Sequence, residues 1–271
     1  MSIQWYPGHM AKAKRQLQEI LPKIQLVIEV LDARIPKASQ NPFIQGLEKP
    51  KIICLNKTDL ANPSQVKKWK TVFQSQKDCI CLETNATQLK QPKTVIKACV
   101  QAATQHGVFN TRHAMIVGIP NVGKSALINA LAGRKITKVE NRPAVTRRHQ
   151  WILLNKQLSL LDTPGILWPK FDDPNSGLCL ASTGAIKDSL LNSEDIALFL
   201  LDHMRKHYPS NLQARYKLDT LSNSLTELAN QVALSRGFLL PKKEIDYEKL
   251  YLTVIREFRS GKLGRVTLEH I

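Results

Sequence analysis

The sequence predicts an α/β domain, a parallel-rich sheet covered by helices, followed by a smaller all-α domain. Three observations predict it. Short apolar runs alternate with helical stretches from Leu26 to Leu161. A loop bearing two glycines, Gly118-Ile119-Pro120-Asn121-Val122-Gly123-Lys124-Ser125, lies between an apolar run and a helical one. Strand signals then fade near residue 175 and helical periodicity takes over. At 271 residues the chain is long enough to bury a large core.

The elements follow in order. Leu26–Leu31, Lys51–Leu55 and Cys79–Leu82 read as strands, alternating with helical stretches at Asn41–Leu47, Ser64–Gln74 and Pro92–Thr104. Ala114–Val117 is a further strand, Ser125–Ala132 a helix, and two more strands end with Leu158–Leu161. Alternating units of this kind build a parallel sheet with its ligands at the carboxyl ends of the strands. Asp172-Asp173-Pro174-Asn175-Ser176-Gly177 has a linker's composition, giving domains 1–175 and 176–271. Beyond it, Ser193–His207 and Leu221–Arg236 read as helices, with Ser193-Glu194 and Ser222 near their starts. Tyr247, Leu250, Tyr251, Val254, Ile255 and Phe258 share one helix face and read as core.

The glycine loop satisfies G-x-x-x-x-G-K-[ST] at every position. Glycines let backbone N–H groups face phosphates, and the following helix N-terminus adds a favourable dipole. Asn121, Val122, Gly123, Lys124, Ser125 and Ala126 form this candidate phosphate site. Lys124 is placed to reach the β- and γ-phosphates, and the Ser125 hydroxyl to bind Mg²⁺. Asp162-Thr163-Pro164-Gly165 ends a strand. By itself it is an ordinary turn. Its place two strands after the glycine loop makes Asp162 a Mg²⁺ candidate and the Gly165 N–H a γ-phosphate donor.

Asn56-Lys57-Thr58-Asp59 follows the strand Lys51–Leu55. The Asp59 carboxylate can accept from guanine's ring N–H and exocyclic amine, a pair that adenine lacks. Glu83-Thr84-Asn85-Ala86 follows the next strand, and its Ala86 N–H is expected to meet guanine's carbonyl. In an ordinary GTPase these base-side motifs come last in the chain; here they come first. Joining the usual termini and reopening the chain after the Mg²⁺ loop gives this order, that of a circularly permuted P-loop GTPase.

The net charge of +17 favours a polyanionic partner. Arg134, Lys135, Lys138, Arg142, Arg147 and Arg148 crowd one segment against a single Glu140. They form either a surface for RNA phosphates or a solvated basic loop. From Arg236 onward, eight Lys/Arg against five Asp/Glu give only a weak excess. The five cysteines have no metal-ligand spacing and point to a reduced, cytoplasmic setting. No apolar run approaches a membrane span.

Ile3-Gln4-Trp5-Tyr6-Pro7-Gly8-His9-Met10-Ala11-Lys12, Asp32-Ala33-Arg34-Ile35-Pro36, Asn41-Pro42, Asp162 to Phe171 and Thr183-Gly184-Ala185-Ile186-Lys187-Asp188 resemble the ribosome biogenesis GTPase A family. The resemblance runs to about residue 265 and is densest before residue 190. It implies a factor for a precursor of the large ribosomal subunit, with RNA binding by the helical domain. Hydrolysis is expected to be slow until ribosomal particles stimulate it, as in switch GTPases lacking their activator, and the chain is expected to be a monomer. A permuted GTPase for another RNA particle, or an RNA-binding protein that holds GTP without turnover, are the alternatives.

The resemblance also assigns roles. Many GTPases orient the attacking water with Gln after the Mg²⁺-loop glycine. Ile166 stands there and cannot, so His9 takes that role by resemblance. Thr146 is the candidate switch residue for γ-phosphate and Mg²⁺, with Thr137 the second choice. The family has Gly where Ala144 stands, two residues before it. Asn121 occupies the position that holds K⁺ in potassium-dependent GTPases; the other reading is that it stabilises the loop.

Overall fold

Every residue of Leu26–Asp32 is buried, which a strand tolerates only when helices cover both faces of its sheet. The computed structural model describes residues 18–89, 92–109, 112–137, 150–165, 167 and 173–271. His9, Ala144, Thr146, Ile166 and the basic residues from Lys138 to Arg148 lie outside them.

The strands are β1 (Leu26–Asp32), β2 (Lys51–Asn56), β3 (Cys79–Glu83), β4 (Arg112–Gly118), β5 (Gln150–Asn155) and β6 (Leu158–Asp162). Their spatial order is β3-β2-β1-β4-β6-β5. Neighbours are parallel except β5, which returns antiparallel along β6. The register sets Asp32 beside Asn56, Leu55 beside Glu83, Val30 beside Gly118 and Ile116 beside Asp162. Strands from distant parts of the chain thus end together at one edge.

Helix α1 (Pro42–Gln45) is shorter than the pattern suggested, capped by Asn41 and stopped at Gly46. Helices α2 (Pro63–Gln74), α3 (Pro92–Gln105) and α4 (Lys124–Ala132) cover the sheet. In α2, Asn62 Oδ1 accepts from Ser64 N and Gln65 N, while Val66, Trp69 and Phe73 face inward at helical spacing. Gly133, with φ of 65°, ends α4 in a left-handed turn.

The carboxylate of Glu29 is buried in the middle of β1. Burial raises its pKa to about 7, against hydrogen bonds from Asn41 N and Gln45 Nε2 that favour the charged form.

The second half is helical: α5 (Pro174–Ser182), α6 (Ser193–His207), α7 (Pro209–Tyr216), α8 (Leu225–Ser235) and α9 (Tyr247–Arg259). Leu250, Val254, Ile255 and Phe258 are buried in α9, as their spacing predicts, while Tyr247 is exposed. Two segments differ in detail from the pattern. The boundary at residues 175/176 falls inside α5, because Asp173 caps that helix and Pro174 fits its first turn, where no N–H bond is lost. The helix expected from Leu221 begins at Leu225: Ser222 Oγ accepts from Ser224 N in a turn, and Ser224 is the residue that caps Glu227 N.

Glu257, buried at the centre of this half, accepts from Arg215 and Arg236. Burial works against its charge, yet these cations hold its pKa below the ordinary value.

Beyond α9 the chain returns to the sheet half. Val266 N donates to Leu60 O at 2.9 Å and Leu268 N to Arg34 O at 2.7 Å. Glu269 accepts from Lys37 N and Ala38 N, and Trp69 Nε1 donates to Glu269 O. Among the described residues, no helix is long and apolar enough to cross a membrane.

Candidate nucleotide site

Gly118 closes β4 at a point where a Cβ would lie 2.8 Å from Val30 O, so any larger residue would push β4 from β1. Gly123 has φ of +96°, and a Cβ there would collide with the Asn56 amide. The phosphate loop therefore passes against the guanine-type loop with no room to spare.

Asn56 holds the two loops together. It is buried, and its Nδ2 donates to Val122 O at 2.8 Å. Its Oδ1 accepts from Ala86 N at 2.9 Å and from Thr84 Oγ1 at 3.2 Å. The Ala86 N–H, expected to face a base, here donates to Asn56. A buried N–H must be satisfied, and Asn56 already takes it. Thr84 is likewise buried between strands, and Asn85 Oδ1 turns back to accept from Thr87.

Lys57 sits in the left-handed region with φ of 62°. Its Nζ donates to Asn121 O at 2.6 Å and to Asp32 Oδ2 at 2.9 Å. Arg34 grips the same carboxylate at 2.9 and 2.7 Å. Burial would raise the Asp32 pKa, but the Arg34 and Lys57 charges outweigh it and keep the carboxylate ionised. Burial also lowers the Lys57 pKa, with Asp32 opposing. The sequence pattern alone gives this anchor no role, although Asp32 ends an apolar strand as Asp162 does. Asp59 is exposed beyond it and makes no hydrogen bond among the described residues.

Lys124 and Asp162 form a buried ion pair. Burial lowers the lysine's pKa while Asp162 works to restore it. Ser125 and Ala126 follow in the first turn of α4, both half-buried. Thr137 Oγ1 donates to Ser125 O at 3.1 Å. Gly165 lies against the phosphate loop: a Cβ on it would come within 3.2 Å of Pro120 N and Cα. Asn121 has φ of 59° and its Nδ2 donates to Gly184 O at 2.6 Å, linking the loop to the helical half. Its Oδ1 makes no hydrogen bond among the described residues.

The phosphate-type and guanine-type loops converge from distant parts of the chain, and that defines the class: a circularly permuted P-loop GTPase. A family model described as 50S ribosome-binding GTPase matches residues 113–235, and one described as RsgA GTPase matches residues 43–172. Ribosome biogenesis GTPase A of Bacillus cereus is 46% identical, over 99% of this chain and 94% of that protein. Its counterpart in Bacillus licheniformis is 44% identical over 99% and 98%. The GNP-bound crystal structure of YlqF from T. maritima superposes with a TM-score of 0.67 at 27% identity, covering 96% of this chain and 98% of that one. The chain belongs to the ribosome biogenesis GTPase A family, GTP-hydrolysing assembly factors of ribosome biogenesis.

Proposed function

We propose that the chain is a GTP-driven switch acting late in maturation of the large ribosomal subunit, as a cytoplasmic monomer. The observation that supports it most is Asn56, which joins the phosphate loop to both base-side loops and so assembles one guanine-nucleotide site from segments far apart in sequence.

Asp59 reads the base, and Lys57 and Asn121 brace the loops around it. Val122, Gly123, Lys124, Ser125 and Ala126 hold the phosphates. Oxygen donors suit Mg²⁺, and Ser125 and Asp162 supply them. Bound there with the nucleotide, the ion offsets charge on the β- and γ-phosphates. The Lys124 ammonium, now balancing Asp162, is released to the phosphates. Gly165 and Thr146 sense the γ-phosphate, and the helical half follows through Gly184 and binds ribosomal RNA.

His9 orients the attacking water when the particle places it. The test is GTP turnover with and without large subunits, for the wild type and His9→Ala. The expected result is strong stimulation of the wild type, and a variant that binds GTP and subunits normally but is not stimulated. A wild type indifferent to large subunits would overturn the proposal; a fully stimulated variant would remove His9 from it.

A further inference from the structure

The loop that carries Asp59 is held from outside the GTPase motifs. Lys57 has a left-handed backbone, which a non-glycine residue keeps only where its surroundings impose it. Part of those surroundings comes from the segment after α9. Arg265 Nη2 donates to Thr58 O at 2.8 Å and its Nε to Ala61 O at 3.1 Å. Val266 N takes Leu60 O, and Asn62 N donates to Thr267 Oγ1 at 3.1 Å. Gly261, with φ of +76°, packs where any Cβ would strike Leu60 Cδ2 at 2.7 Å. Three carbonyls bracketing Asp59 are thus satisfied by Arg265 and Val266. One planar guanidinium spans both ends of the loop, a reach that a lysine's single nitrogen lacks.

We propose that Arg265 is a positioning residue for guanine recognition: it fixes the loop so that the Asp59 carboxylate stands ready for the base. The proposal rests on the reading of Asp59 given above. Arg265 is exposed and contributes hydrogen bonds to the loop without entering the core, so its loss acts on binding more than on folding. A preformed carboxylate saves the ordering cost that a loose loop incurs on binding.

The test uses the full chain and compares wild type, Arg265→Ala, Arg265→Lys and Asp59→Asn. GTP, ITP (which lacks the exocyclic amine) and XTP are the ligands, and melting temperature is followed alongside. Arg265→Ala is expected to weaken GTP about tenfold, to narrow the GTP-over-ITP preference, and to raise KM while leaving kcat and melting nearly unchanged. Arg265→Lys should recover only part of the loss. Asp59→Asn should shift preference towards XTP. An Arg265→Ala protein with wild-type GTP affinity and GTP-over-ITP ratio, beside an altered Asp59→Asn, overturns the Arg265 role and leaves base reading intact. Unchanged preference in Asp59→Asn overturns both.

Discussion

Replacing Asn56 with Ala removes a side chain that hydrogen-bonds both the phosphate loop and the Thr84–Ala86 loop. Three hydrogen bonds are lost, to Val122 O, Ala86 N and Thr84 Oγ1, and all three lie in the interior. At ~1 kcal/mol net for each such bond, the loss is ~3 kcal/mol. If the nucleotide binds only the joined loops, that becomes a weakening of GDP binding of up to about a hundredfold, since 1.4 kcal/mol is tenfold. The rest emerges as a lower melting temperature, by about 2–4 °C per kcal/mol for a chain of this size. Asn56→Asp separates the partners: it keeps acceptors for Ala86 and Thr84 but turns a carboxylate on Val122 O, and should bind GDP no better than Asn56→Ala. The assay is titration with a fluorescent GDP analogue, with a thermal melt beside it. An Asn56→Ala protein within twofold of wild-type affinity and unchanged in melting would show that the loops are held by other means.

Gly165→Ala presses a methyl group on the Pro120 backbone; GTP turnover should fall by about tenfold or more while GDP affinity holds within about threefold, as the packing strain of ~1–3 kcal/mol acts on the closed loop. Equal losses for GDP and GTP would refute that. For Glu29, the sign is that of a raised carboxylate: its contribution to stability is complete below pH 4.5 and is lost as pH rises through about 7. Glu29→Gln should therefore gain up to ~3 kcal/mol over the wild type at pH 8 and little at pH 4.5, by chemical denaturation at both; a gain independent of pH would show that the charge is not the cause. A potassium ion at Asn121 Oδ1 predicts faster hydrolysis in KCl than in NaCl at equal ionic strength, and equal rates would assign Asn121 to its Gly184 contact alone.

The phosphate loop was legible in the sequence because backbone geometry dictates it. Gly118 and Gly123 stand where the structure leaves no room for a Cβ, so spacing alone carries the information. Asn56 and Asp59 were found as a motif, but the partners of Asn56 were not. Whether the Ala86 N–H faces a ligand or an asparagine depends on how β2 and β3 align, which periodicity does not encode. Asp32 and Arg34 were recognised by resemblance without a role, since their pairing with Lys57 exists only once β1 and β2 lie side by side. Pro174 and Pro209 start helices that the sequence does not announce, because proline signals a break as readily as a first turn. The segment after α9 has no repeating pattern; its backbone bonds go singly to loops rather than to a ladder.

That segment gives the chain a calendar. Ala61 and its partner Arg265 are separated by 204 positions, and Thr58 and Arg265 by 207. During synthesis the guanine-type loop leaves the ribosome early and must wait for residues made much later. At ordinary elongation speeds the wait is roughly 10–40 s. Through that interval the carbonyls of Thr58, Leu60 and Ala61 have only water to bond, and Lys57 lacks part of what keeps its backbone left-handed. A nascent chain therefore carries every nucleotide-binding motif well before it has a finished base pocket. On the Arg265 proposal, the factor grips guanine at full strength only after its helical half has been made and folded back on the first.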